Sequence, residues 1–260
     1  MKRNARFWAQ LVFTLLVCAF LVVPVVMSVL AGVTENFFVG VKSGLTLRWI
    51  GEVWELYART VYLSIGIALA CLAATLVLGV PAAYVLARAQ NRWTRAFEEL
   101  LVLPVAVPGL ATALALILFY GQIREFRASW TFILVGHVLF TLPFMVRSVL
   151  AVMAAIDLRT LEDAAASVGA NFRQRFFQVV LPNARPGIVA GSLMVVTLSM
   201  GEFNITWMLH TPLTQTLPVG LADSYASMRL EIGSAYTIVF FLMIVPLLVA
   251  LQWLAERTVR

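Results

Sequence analysis

Charge is scarce in this chain. Of its 260 residues only 12% are Asp, Glu, Lys or Arg, while 62% are hydrophobic. Ordinary globular proteins carry about 25% and about 45–50% respectively. So few charges cannot cover a water-facing surface, which excludes a soluble fold and leaves lipid as the main solvent. Histidine and cysteine are scarcer still, with two of each. The acid–base and nucleophilic constellations of an enzyme are therefore thin, and no catalytic or metal site is expected. Cys18 and Cys71 fall near the middle of apolar runs, where packing is the expected role rather than a disulfide or a metal. No G-x4-G-K-[ST] run occurs, so the phosphate-cradling loop of P-loop proteins is missing.

What the chain has instead is long apolar runs. A bilayer core of about 30 Å takes about 20 apolar residues per helix. Six runs meet that length: 7–32, 60–87, 100–120, 130–153, 187–207 and 236–254. They are apolar on every side, whereas barrel strands would alternate over about ten residues. An all-α protein with six transmembrane helices is predicted, as one domain over 1–260. The first run resembles a signal peptide in its basic start, but its length exceeds the roughly 7–15 residues of a signal core, so it is read as a retained span.

The positive-inside rule places both termini in the cytoplasm. On that assignment only Lys42, Arg48, Arg59, Arg124, Arg127 and Arg229 fall outside, and the other Lys and Arg, including Lys2, Arg3, Arg257 and Arg260, fall inside. The net charge of +6 is thus a topology signal. Nothing in it points to nucleic acid, because no basic patch is interleaved with aromatics.

The connections differ in character. Residues 33–58 form an external segment in which Trp49 and Trp54 suit a membrane interface, and a short surface helix is predicted there. Residues 88–99 form a basic cytoplasmic turn, and 208–234 an external loop. The cytoplasmic connection 154–186 is longer than two adjacent helices need, and long connections in compact folds are usually functional. It reads as helix, turn, helix. Asp157 or Thr160 can cap a start, Ala164, Ala165 and Ala166 favour helix, Gly169 suits the left-handed end, Asn171 to Gln174 form a second capping box, and Pro182 marks the next stop.

Within this connection the chain resembles the permease subunits of binding-protein-dependent ABC importers. Their cytoplasmic motif is E-A-A-x3-G-x9-I-x-L-P. Here it reads Asp163-Ala164-Ala165, three residues, Gly169, nine residues, Val179, Val180, Leu181-Pro182. Asp stands for Glu and Val for Ile, and Glu162 just before keeps a longer acid in reach. The resemblance covers nearly the whole chain. It implies a type I, MetI-like bundle in the bacterial cytoplasmic (inner) membrane. It implies a second permease subunit, identical or not, two ATPase subunits that bind ATP and Mg, and an extracytoplasmic solute-binding protein. This chain would bind no cofactor of its own. The loop would be a coupling helix: Glu162 and Asp163 would meet the ATPase, Ala164 and Ala165 would fit its groove, Gly169 would hold the turn, and Leu181 and Pro182 would set the exit angle. Arg173 and Arg175 either add contacts or are solvated.

Polar groups inside spans are functional candidates. Glu202, beside Asn204 in the outer part of the fifth run, either faces a solute pathway or pairs helices. His137 is expected to be a satisfied interhelical group. Gly187 and Gly191 form a G-x3-G pair suited to close packing. The overall pattern looks most like the smaller permease subunit of spermidine/putrescine-type importers, which implies a polyamine. Phosphonate and ferric-iron importers are alternatives. A secondary transporter fits less well, for want of an internal repeat. An intramembrane protease would have only His137 or His210 to work with.

Overall fold

The computed structural model describes residues 5–89 and 91–259, with Ala5 and 254–259 by their backbone alone. Lys2, Arg3 and Arg260 lie outside the described residues. Among the described residues five helices are long and apolar enough to cross a bilayer: α1 (Ala5–Ala31), α2 (Arg48–Ala89), α7 (Trp130–Ala155), the run 172–200 that ends in α10 (Leu181–Met200), and α13 (Leu230–Val259). A sixth crossing is a bent pair. Between these lie α3 (Arg92–Leu100), α4 (Leu103–Ala106), α5 (Gly109–Tyr120), α6 (Arg124–Ala128), α8 (Leu158–Ser167), α9 (Phe172–Gln174), α11 (Asn204–Leu209) and α12 (Leu217–Ala226). No strand occurs among the described residues beyond one bridge, Thr34 to Leu45.

Three predicted boundaries change. In the external segment 33–58 the separate helix is only a 3-10 turn at Gly40–Ser43, and Trp49 and Trp54 lie instead on α2, which runs unbroken for 42 residues. No proline lies between Arg48 and Thr60, and Gly51 is tolerated inside the helix, so the polar composition there did not end one. The basic turn 88–99 is instead the amphipathic α3. Asn91 caps it, accepting from the N–H groups of Trp93 and Thr94, while the Thr94 hydroxyl accepts from the Asn91 N–H. Its Trp93, Phe97 and Leu100 stay exposed, as an interfacial helix requires. The third run is broken. Segments 92–106 and 109–120 meet at 100°, because Val107 precedes Pro108 and is driven out of the helical region, to φ −82°, ψ 133°. Pro24, Pro81, Pro143 and Pro246 sit inside helices that continue past them.

The chain divides into two compact units. One comprises 1–59 and 220–242, the other 60–219 and 243–260. In the first, an extracytoplasmic cluster ties loop to helix. Arg229 pairs with Glu52 at 2.6 Å and donates to the Tyr57 hydroxyl at 2.6 Å. The Trp49 indole donates to the Thr34 carbonyl, and the Phe37 N–H to Glu231. Gly32 lies so close to Ala235 that a Cβ would come within 2.8 Å of its backbone nitrogen.

In the second unit the core runs along α7 and α10, with Met145, Val149 and Met153 packed on Val180, Ala184 and Val195. Gly187 and Gly191 set the spacing of that seam. A Cβ on Gly187 would sit 2.6 Å from the Ser148 carbonyl oxygen, and one on Gly191 would sit 2.8 Å from Met145 Sδ. The pair therefore acts in packing. Gly187→Leu should lower stability by about 1–3 kcal/mol through overpacking, read as a lower unfolding midpoint in detergent. Gly66→Ala, where nothing lies within 4 Å, should leave the midpoint unchanged or raise it.

Candidate functional site

The connection after α7 is built so that every helix end is closed. Asp157 is the cap of α8: it accepts from the Thr160 N–H at 3.2 Å and from the Thr160 hydroxyl at 2.7 Å. Of the two candidate caps, Asp157 takes the role and Thr160 is its donor. The hydroxyl, then the backbone N–H, hold the Asp157 carboxyl below the ordinary carboxylate range, so the cap is charged at neutral pH. At the other end Gly169 takes φ +87°, which a residue with a Cβ rarely adopts. The Ala170 N–H reaches back to the Ala165 carbonyl, and the Gly169 N–H to Ala166, the paired bonds of a Schellman ending. Asn171 and Gln174 then exchange side-chain bonds as a capping box and start α9.

The expected stop at Pro182 does not occur. Residues 172–200 form one helical run, with a π-helical turn at Arg175–Val180 immediately before the proline. Proline lacks an N–H, and its ring crowds the carbonyl four residues back. A wider turn at that point accommodates it without breaking the rod. Leu181 and Pro182 are half-buried at this junction.

Glu162 also departs from expectation. Its side chain is turned inward and is 2% exposed. It accepts from the Tyr84 hydroxyl at 2.8 Å, with Arg88 Nη1 3.8 Å away. A carboxylate so placed does not present itself to another protein, and the outward acid of the pair is Asp163. Asp163 and Ala164 are exposed and Ala165 is half-buried, so the outward stripe has small side chains. Arg173 is exposed and Arg175 half-buried.

The fifth run is not one helix. It breaks at 201–203 between α10 and α11, placing Glu202 at the break rather than on a continuous outer turn. Glu202 is 8% exposed. One carboxylate oxygen accepts from the Ile205 N–H at 2.8 Å, and the other from the Thr206 N–H and hydroxyl, both at 2.8 Å. It therefore caps α11. Arg127 closes the far end, donating to the carbonyls of Leu209 and Met208. Anion at the start and cation at the end both suit the helix dipole.

His137 pins the break from α7. Its Nδ1 is 2.8 Å from the Ser199 hydroxyl at the end of α10, and its Nε2 is 2.8 Å from the Thr206 hydroxyl in α11. Thr206 gives its proton to Glu202, so Nε2–H must donate to Thr206, and Nδ1 accepts from Ser199. His137 is thus a satisfied interhelical group, and Glu202 is a structural acid with its oxygens taken. A cavity of about 240 Å³ opens beside the break, lined by Glu202 itself with Phe140, Thr197, Gly201, Phe203 and Asn204 among others. Asn204 is exposed there.

Residues 76–260 match the family described as binding-protein-dependent transport system inner membrane component. The chain belongs to this family. It is a permease subunit of an ABC importer and a multi-pass protein of the bacterial inner membrane. It is 28% identical to the sulfate transport system permease protein CysW of Synechocystis sp., over 92% of this chain and 90% of that one. It is 29% identical to the putrescine transport system permease protein PotI of Escherichia coli, over 81% and 77%. Its fold resembles a chain in inward-facing conformations of the MetNI methionine ABC transporter, with a TM-score of 0.64 at 18% identity, covering 80% of this permease and 97% of that chain.

Sequence reasoning missed Tyr84, Arg88, Ser199 and Thr206 in the permease. Tyr84, Ser199 and Thr206 are common residues inside apolar runs and Arg88 opens the basic turn, and only its partner gives each its meaning. Removing the Glu202 carboxylate should expose their interdependence. Glu202→Ala leaves the Ile205 and Thr206 N–H groups without an acceptor and should cost about 1–3 kcal/mol, measured as a lower midpoint in thermal unfolding of the purified protein.

Proposed function

We propose that this permease couples to a separate ATPase through α8 and forms half of a translocation pathway for a small polar solute. The observation that carries the reading is the shape of the loop: a capped helix and a left-handed glycine turn, with Asp163 and Ala164 facing out. Small side chains let a partner backbone approach closely, and closed ends make the segment stiff enough to act as a lever. By differential-affinity logic, α8 must meet the ATPase differently in its two states. ATP and Mg belong to that partner. A second permease subunit, the same chain or another, completes the pathway, and an extracytoplasmic binding protein delivers the solute.

The break in the fifth run is the proposed constriction, with Asn204 at its edge. The polyamine reading rests on the overall pattern of the chain, with Glu202 as an acid compatible with a cation. With both oxygens engaged by α11, that carboxylate no longer favours one sign of solute. Proteins named for sulfate, an anion, and for putrescine, a cation, resemble this chain almost equally. The proposal for the solute is therefore a small polar compound, with a polyamine, a phosphonate or an oxyanion as the classes to test.

Two experiments check these points. A tagged wild-type chain should capture an ATPase subunit from the membrane of its own organism. Ala165→Trp should insert at the same level and lose ATPase-driven uptake. Wild-type uptake by the Trp variant would contradict the docking role of α8. A thermal-shift screen of the cognate binding protein against polyamines, phosphonates, oxyanions and ferric chelates should then give one class of stabilising solute.

A further inference from the structure

Two consecutive acids on α8 point in different directions. Successive residues on a helix lie about 100° apart, so Asp163 can face outward while Glu162 faces the bundle. Burying an ionisable group is unfavourable unless it is well hydrogen-bonded, and packing alone would be better served by an apolar residue. Glu162 must therefore be explained by what it holds.

It holds the cytoplasmic end of α2. Arg88, one turn beyond Tyr84, donates Nη1 to the tyrosine oxygen at 2.9 Å. With that oxygen already accepting, the Tyr84 proton goes to Glu162, and the direction of the 2.8 Å bond is fixed. The Tyr84 ring is held in turn by the other arm of the loop. It packs edge-on to Phe176 at 5.3 Å and tilted to Phe172 at 6.3 Å. One residue of α2 thus grips both arms of the hairpin that turns at Gly169, the first through a charge-assisted hydrogen bond and the second through aromatic contact. Such bonds are short and roughly twice as strong as neutral ones.

We infer that Tyr84 and Glu162, with Arg88 as the positioning residue, form the joint through which movement of α8 reaches the cytoplasmic part of α2. This rests on the coupling role proposed for α8. The joint makes α8 and the end of α2 move as one body, so a tilt of α8 pulls α2 instead of sliding past it.

The test uses the assembled complex, with Cys18→Ser and spin labels at Ala89→Cys and Ser167→Cys. Both label sites are exposed, on α2 and α8 respectively. In the otherwise wild-type protein the distance between labels should stay narrow and equal in the nucleotide-free and ATP-trapped complexes. Tyr84→Phe keeps the ring and removes the hydroxyl. It should make the distance differ between the two states by more than about 2 Å, beyond the small backbone shifts of pre-organised interfaces. Glu162→Ala should do the same, and the double variant should go no further than either single one. The joint is refuted if the wild-type distance itself changes with nucleotide, or if Tyr84→Phe behaves like wild type. It is equally refuted if Tyr84→Phe loses ATPase capture, since the contact would then serve docking. Failure of the wild-type chain to capture any ATPase would instead overturn the coupling role of α8.

Discussion

Inside a bilayer there is no water to satisfy a backbone amide or carbonyl, so each place where a span departs from a helix needs a partner built into the protein. The second unit of this permease is arranged around that constraint. At 201–203 the chain leaves one helix and starts another, and the new N-terminus is met by both oxygens of Glu202. The short helix that follows is closed at its other end by Arg127. His137 then ties the two sides of the break to α7, using both ring nitrogens. Thr141 extends the network, donating to the His137 carbonyl and lying 3.1 Å from Cys71. A break held by so many specific partners has one geometry here, set by side chains from three helices.

The same economy governs the cytoplasmic loop. Asp157 closes one end of α8, the Gly169 turn closes the other, and the Asn171 box opens the next helix without a gap. The π turn lets Pro182 stand inside a continuous rod. That rod continues into α10, which is locked against α7 where Gly187 and Gly191 bring the backbones together. Stiffness is thus continuous from the outward face of α8 to the middle of the membrane. The left-handed Gly169 is the point where the two arms meet, and side chains at its position would find open space but a strained φ. Its requirement is conformational rather than steric.

Much of this was legible in the sequence, and the reasons are local. Run length located the spans, because hydrocarbon thickness fixes it. Gly169 and the Asn171 box were readable because a turn and a cap depend on residues within a few positions. The glycine pair read as packing because its period matches a helix face. What escaped depended on distant partners or on missing stop signals. Nothing in Glu162-Asp163 tells which acid faces the bundle, since that is decided by Tyr84, 78 positions away in the chain. The break at Gly201 was hidden in an apolar run, and its cause is a side chain bonding forward to its own backbone. Helix α2 overran its predicted start because Trp49, Glu52 and Glu55 are polar or interfacial without being helix breakers. Prolines were the ambiguous case: Pro108 breaks its span and Pro143 does not.

Glu202 shows how burial changes the meaning of a charge. An acid in an apolar run invites a reading as a solute ligand, since its desolvation must be offset by something. Here the offset is internal: two backbone N–H groups and a hydroxyl, with an imidazole nitrogen 3.7 Å away. A carboxylate surrounded by donors this close has its field largely compensated before it reaches the adjoining cavity. Glu202 itself contributes to the wall of that cavity, beside the neutral Phe140, Thr197, Phe203 and Asn204. A wall whose charge is already hydrogen-bonded within the protein discriminates by size and hydrogen bonding more than by sign. Under the proposed function, selection by charge would then fall to the protein that delivers the solute, and the bend at 201–203 would select by size.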